Sequence, residues 1–183
     1  MMYLKYLRSL LLHKWFVFLA GLKTGVPVWR LVIHDWSKFS PTEFIRYSKW
    51  LFGDVKDKKM WATAWHHHQR HNPHHPEFWI LAWHGNPKFY DGVGHSLANF
   101  VTALPMPETY VREMVADWMG ASRAYTGAWN MSKWLSNNGP NIEKNMHPET
   151  VRLVHSVLIE QGYFFTDNAP WICALATNVT GVK

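Results

Sequence analysis

"LRSLLLHKWFVFLAGL", residues 7–22, is the stretch on which the reading of the fold turns. Such a run fits a removable leader, a membrane span or a helix of a folded core. His13 and Lys14 interrupt it, and what remains is too short to cross a bilayer. Over residues 2–22, Tyr6, Leu10, His13, Val17 and Ala20 recur at spacings of three and four, which places them on one helical face. The stretch therefore reads as a buried helix, with a helix lying on a membrane surface as the alternative. Gly21, Gly25 and Pro27 end it and turn the chain.

The helical pattern continues outward from there. In "SPTEF", Ser40 is placed as an N-cap, Pro41 sits at the first helical position and Glu43 closes a capping box. That helix is expected to run to about Phe52, where Gly53 stops it. Another is expected from about Asp57 to His71, because Pro73 forbids simple continuation. "MPETYVREMVADWMGASRAY" (106–125) and "HPETVRLVHSVLIEQG" (147–162) read as two more. The first has Pro107 at its start; the second has Pro148 early and Gly162 as its C-cap. Residues 84–106, rich in Gly, Pro and Asn, read as a long loop with a short helix near "SLANFV". No segment alternates over enough residues to read as a strand. The expected fold class is all-α: a single-domain helical bundle over residues 1–183, with a core of about 2–162 and one long Gly/Pro-rich loop. The apolar tail, 163–183, is expected to pack on the core or on a partner chain, so a homo-oligomer is one expected state.

Composition narrows the partners. Apolar residues make up 48% and charged residues 17%, the balance of a globular chain and not a disordered one. A net charge of +6 favours anionic partners. The charge is spread along the chain and forms no basic arm, so a small phosphorylated ligand suits it better than long DNA. Neither a stable nucleic-acid complex nor a membrane partner is expected. Twelve tryptophans supply either a core of large rings or stacking surfaces for a base or sugar. The single cysteine, Cys173, excludes an internal disulfide framework and fits a reducing cytoplasm.

Three stretches carry the residues of chemical interest. In "LVIHDWSKFS" (31–40), His34 and Asp35 follow three apolar residues. An ionised Asp buried beside a His is costly unless it is paired or metal-bound. Adjacent His and Asp on a helix can address one metal, or two bridged by the carboxylate. Lys38, three residues on, would point at the same place and neutralise a phosphate there. His13 lies on the apolar stripe of the first helix, where a lone His is more often a core residue bonded to a backbone carbonyl. Asp117 lies on the stripe Tyr110, Met114, Asp117, Ala121, an acid among apolar neighbours. A helix-face salt bridge from Asp117 to Arg123 is the bland alternative. Glu113, one turn earlier, could do the same job as Asp117 or make an outer contact. Finally, "WHHHQRHNPHHPEFW" (65–79) holds six histidines between His66 and His75. On a helix broken by Pro73, either His67, His71 and His74 or His68, His71 and His75 fall at spacings that bind Zn, Fe, Mn, Co or Ni. Three consecutive histidines cannot all face inward, and two or three of the six are expected to do so. A histidine-rich surface with no ligand is the alternative.

An early His, then His-Asp, then a late Asp, all on helices, resembles the HD-domain superfamily of metal-dependent phosphohydrolases. "HDWSK" is similar to the HD-x-x-K form of its cyclic-dinucleotide phosphodiesterases, although the chain lacks their GYP motif. Extra histidines between the HD pair and the last Asp mark binuclear members, which include phosphodiesterases and a small group of di-iron oxygenases. "HKWFVFLAG", "HDWSKFSPTEF", "NPHHPEFW" and "EMVADW" look like a bacterial and phage family with this HD-like arrangement, over most of residues 10–160.

The resemblance implies an HD-like bundle and a metal-dependent phosphohydrolase acting on a nucleotide or related phosphate ester. His13, His34, Asp35 and Asp117 would hold a primary metal. His67, His68, His71, His74 and His75 would supply a second metal or touch substrate. Asp35 and Lys38 would be catalytic; Lys38, Arg70 and Arg123 would clamp phosphate; Trp36, Trp65 or Trp79 would stack on a base. The implied cofactor is one or two divalent ions: Mn, Fe, Co, Ni or Zn, with Mg as a further option. A di-iron oxygenase acting on a small phosphorylated or polyol substrate is the alternative. A non-catalytic binding protein stabilised by metal is a second.

Overall fold

The computed structural model describes residues 1–54, 56–83, 100–166 and 169–175. Helix α1 spans Met2–Thr24 and buries Tyr6, Leu10, His13, Val17 and Ala20, the stripe expected from their spacing. It ends at Gly25, whose φ of 79° is left-handed backbone that glycine adopts without strain. Helix α2 (Val28–Ile33) is short, and a 3₁₀ turn over Trp36–Phe39 follows it. Ser40 caps α3 (Pro41–Phe52) by accepting a hydrogen bond from the Glu43 amide. Asp57 caps α4 (Lys58–His71) through the Lys59 amide. Helix α5 is Glu108–Thr126, α6 is Ser132–Glu143 and α7 is Pro148–Glu160.

The helices pack in the order α7, α5, α1, α3, α4, with α2 laid across α1. Val17 and Ala20 of α1 share one core with Val111, Met114 and Val115 of α5 and Val154 and Leu158 of α7. Tyr6, Leu10, Tyr47 and Ala64 form a second core where α1 meets α3 and α4. The α1–α5 crossing is close because Gly120 has no side chain. A Cβ there would lie 2.5 Å from the Val17 backbone nitrogen. His13 sits one turn before Val17 and Asp117 one turn before Gly120, so this close crossing brings the two together.

The fold is an all-α single domain, as expected from the helical pattern, but four short strands among the described residues depart from it. Ile80–Trp83 (β1) pairs antiparallel with Phe100–Ala103 (β2), and Tyr163–Thr166 (β3) with Ala169–Leu175 (β4). Strands as brief as "ILAW" and "FVTA" show no alternation, so their period does not distinguish them from helix or loop. The expected loop is therefore a strand over 100–103, and residues 84–99, including most of "SLANFV", lie outside the described residues. Helix α6 was not expected, because Gly139 and Pro140 read as breakers. The start of the tail packs on the core: Tyr163 is buried, and its hydroxyl receives the Met131 amide at 3.1 Å. Among the described residues no helix is long and apolar enough to cross a membrane.

Candidate metal centre

Asp35 stands at the middle of the molecule. Its φ of 56° is left-handed, so the His34–Asp35 pair is not helical, contrary to expectation. It lies in the break between α2 and the 3₁₀ turn. The strain of a non-glycine residue there is held by its surroundings. Lys14 contributes, because its ammonium donates to the carbonyls of Val32 and His34. This backbone turn aims the Asp35 carboxylate into a ring of histidines.

Its two oxygens face different neighbours. Oδ2 lies 3.2 Å from His13 Nε2 and 3.5 Å from His34 Nε2. Oδ1 lies 3.4 Å from His68 Nε2 and 3.5 Å from His74 Nε2. Asp117 Oδ1 closes the first group, 3.1 Å from His13 Nε2 and 3.6 Å from His34 Nε2. His75 closes the second, its Nε2 2.9 Å from that of His68. Donor atoms of His13, His34, Asp35 and Asp117 converge within 4.8 Å of one another, and so do those of Asp35, His68, His74 and His75.

These atoms are close without being satisfied. His34 Nε2, His74 Nε2, Asp35 Oδ1 and Asp117 Oδ1 are buried and make no hydrogen bond of acceptable geometry, although each has a charged or polar neighbour within about 3.6 Å. Orphaned buried acceptors are costly. Lone pairs that miss one another and meet at a common point fit a cation between them.

Two buried glutamates fix the rings from outside. Glu113 Oε1 accepts from His34 Nδ1 at 3.0 Å and lies 3.4 Å from His74 Nδ1. Its Oε2 receives Arg30 Nε at 2.7 Å and Nη2 at 2.6 Å. Glu43 Oε2 accepts from His68 Nδ1 at 2.9 Å. In a neutral ring, a proton held on Nδ1 leaves Nε2 as a bare lone pair facing inward, the arrangement that orients histidines on metals. Glu43 is fully buried and does not reach back to cap α3. Its capping-box spacing concealed this role. Glu113 makes the outer contact that its position allowed.

The electrostatics divide the centre. Burial alone would neutralise Asp35, but His34 and Lys38 hold its carboxyl well below the usual range. Burial likewise opposes ionisation of Asp117, and the nearby His13 and His34 hold it well below the usual range. His34 loses charge to burial, yet Asp35, Asp117 and Glu113 outweigh that and raise it to about 9. His68 is lowered, by burial above all, and His75 is lowered well below its ordinary value by burial and then by His74 and His68. Lys38 donates to Asp35 Oδ2 at 2.5 Å and is raised, because Asp35 and Asp117 outweigh its burial.

A cavity of about 450 Å³ opens beside this centre, with His13 and Lys38 in its wall. Most of the remaining wall is aromatic, with Tyr6, Tyr47, Trp61 and Trp65 among its rings. The hydroxyls of Tyr6 and Tyr47 are buried and lack hydrogen-bond partners.

Residues 2–160, which hold every donor atom of the centre, match a family model described as a family of unknown function, DUF5662. The chain belongs to this family. No curated protein and no solved structure matches it.

In this DUF5662 chain the structure brings together His13, His34, Asp35, Lys38, Asp117, His68, His74 and His75. Of the other expected residues, only Trp65 reaches the wall of the adjoining cavity. His67 turns its Nδ1 to the far oxygen of Glu43 at 2.7 Å, and His71 donates to the His67 carbonyl. Successive helical residues step by about 100°, so only one of three adjacent histidines faces the centre. His66 and Arg70 are exposed. Arg123 donates to the Gly127 carbonyl and lies over the Phe16 ring, away from Asp117. Trp36 is 65% exposed and lies outside the cavity wall. Trp79 donates to the Pro73 carbonyl and packs on Tyr110 in the core. Trp61 and Tyr47 carry no motif in the sequence and Tyr6 reads there only as a core position; their helical registers beside Leu10 and Ala64 are the available signal.

Proposed function

We propose that this chain is a metal-dependent phosphohydrolase, and that Asp35 would help to hold each of two divalent cations. The observation that carries the reading is the split of the Asp35 carboxylate between two groups of inward-facing Nε2 atoms. His13, His34 and Asp117 would hold one ion with it; His68, His74 and His75 would hold the other. Ions bound there supply Lewis acidity and an acidified water nucleophile. Lys38 Nζ, fixed at the cavity wall, places a positive charge against a phosphoryl oxygen. The rings of Trp61 and Trp65 receive the body of the ester and exclude water from it. A cavity that reaches His13 and Lys38 also speaks against a closed structural site. The net positive charge and the resemblance to HD-type enzymes support a phosphorylated substrate, a nucleotide or related ester.

Elemental analysis of protein purified without a histidine tag, followed by a phosphate-release screen with Mn, Co, Mg or Zn, tests this. Two metal equivalents and oxygen-independent phosphate release are expected; a metal-free, inactive protein refutes it. Five imidazoles in the donor set favour one second reading, a di-iron oxygenase. Bound iron and turnover that stops without oxygen would replace the first reading with that one.

A further inference from the structure

The outer side of α1 and α2 is apolar where most proteins are polar. Leu4 is 72% exposed, Leu11 52% and Trp15 57%, all on the α1 face opposite His13. On α2, Trp29 is 61% and Val32 57% exposed, and Trp36 follows at 65%. A groove lined by Leu11, Trp15, Phe18, Leu31 and Val32 joins the two helices, so the surface is continuous. Patches of this kind on a folded domain mark interaction sites.

Charge selects the occupant. Residues 1–34 contain no acidic side chain. Lys5 and Arg8 are exposed, Arg8 lying on the same stripe between Leu4 and Leu11, and neither is in an ion pair among the described residues. A second copy placed on this face by two-fold symmetry would set these cations against themselves with no carboxylate to meet them. Exposed tryptophans with interspersed cations suit the boundary between lipid headgroups and acyl chains. We infer that the outer face of α1 and α2 docks on an anionic lipid bilayer, lying on the surface without crossing it. The expectation of no membrane partner took α1 as a buried helix; folding buries one of its faces and leaves the opposite one acid-free and ring-rich. The inference is independent of the metal centre, which opens on the other side of α1.

The test is flotation of the intact protein with vesicles of phosphatidylcholine, alone or mixed with phosphatidylglycerol, at low and high salt. Binding to the mixed vesicles, weakened by salt, is expected. The double variant Trp15→Glu/Trp29→Glu should bind about tenfold or more weakly, and Arg8→Glu should lose most of the preference for the anionic lipid. Leu4→Glu, at the most exposed of these positions, serves if the double variant does not fold by circular dichroism. No flotation with anionic vesicles at low salt overturns the inference, as does equal binding of the variants. A wild-type dimer that Trp15→Glu/Trp29→Glu splits, without vesicle binding, assigns the face to a second copy and overturns it too.

Discussion

One half of the centre is built on long helices and the other on a helix end and the turn after it. His13 comes from α1 and Asp117 from α5, two helices locked by the Gly120 contact; His34 ends α2. His68 comes from the last turn of α4, while His74 and His75 hang from the turn that Pro73 forces. The chemistry divides the same way. The first half holds a carboxylate of its own, a charged His34 and the nearby Lys38. The second holds three imidazoles, of which His68 and His75 are kept neutral by burial. Neutral rings accept a cation without first losing a proton, and a charged ring must give one up. The two halves differ in how hard protons compete for them, although one aspartate serves both.

Asp35 is where the comparison is most exposed to failure. Asp35→Ala should empty both halves and lower activity by about 10³-fold or more, the scale set by removing one preorganised electrostatic group from a catalytic site. Helical content should persist, because Asp35 lies between elements. Metal content by mass spectrometry checks this; retention of one full equivalent would show that the halves do not share the carboxylate.

The metal-free protein should respond to pH in opposite ways at its two halves. The folded value of His34, about 9, lies above the unfolded value of about 6.5. The stability that this gives is present in full below about 6.5 and is lost as pH rises through about 9, on the order of 3 kcal/mol in all. His68 and His75 are lowered instead, so their effect appears on acidification, when the unfolded chain takes up protons that the folded chain refuses. Thermal melts of chelated protein should therefore peak near neutral pH, and His34→Gln should flatten the alkaline limb alone. With metal present that limb should reverse, because the ion displaces the His34 proton more easily as pH rises. An unchanged alkaline slope in His34→Gln would remove the charged ring from this account.

The first half was the more legible in sequence, and the reason is periodicity. His13 and Asp117 each stand on an apolar helical stripe, where spacing alone names the buried face. His74 and His75 follow a proline, where no period applies, and their direction depends on the turn that Pro73 imposes. His68 could not be separated from His66 and His67, because all three suit a helix and only packing against α3 selects one. The two supporting glutamates were legible to different degrees. Glu113 was visible as an acid one turn from Asp117. Glu43 satisfied a capping-box spacing, and its full burial depends on α4 packing over it. The left-handed turn at Asp35 had little sequence signal, because Asp visits that region more readily than most residues but still does so uncommonly.

Those glutamates provide a finer test. Glu113 supports a ring in each half, while Glu43 supports His68 in the second half only. Glu113→Gln should weaken both metal equivalents, and Glu43→Gln one of them, each by about 10–100-fold. Chelator titration of the purified variants reads this directly. Uniform weakening of both ions by Glu43→Gln would mean that the second half is not separable from the first.

The smallest effect expected is at the histidines that face outward. His66 is exposed, and His71 donates to the His67 carbonyl one turn back and stacks on the His67 ring. The double variant His66→Ala/His71→Ala should change stability by no more than about 0.5 kcal/mol, as for most surface substitutions, and leave metal content untouched. The result matters because the sequence alone leaves five histidines of this cluster as candidates, and His71 fits both of its candidate ligand sets. Loss of one metal equivalent in this variant would mean that α4 turns a different face to Asp35, the one on which His67 and His71 stack one turn apart. Unaltered metal content would leave His68, His74 and His75 to account for the second half, with Pro73 as the reason that two neighbours, His74 and His75, both point inward where a helix would have parted them.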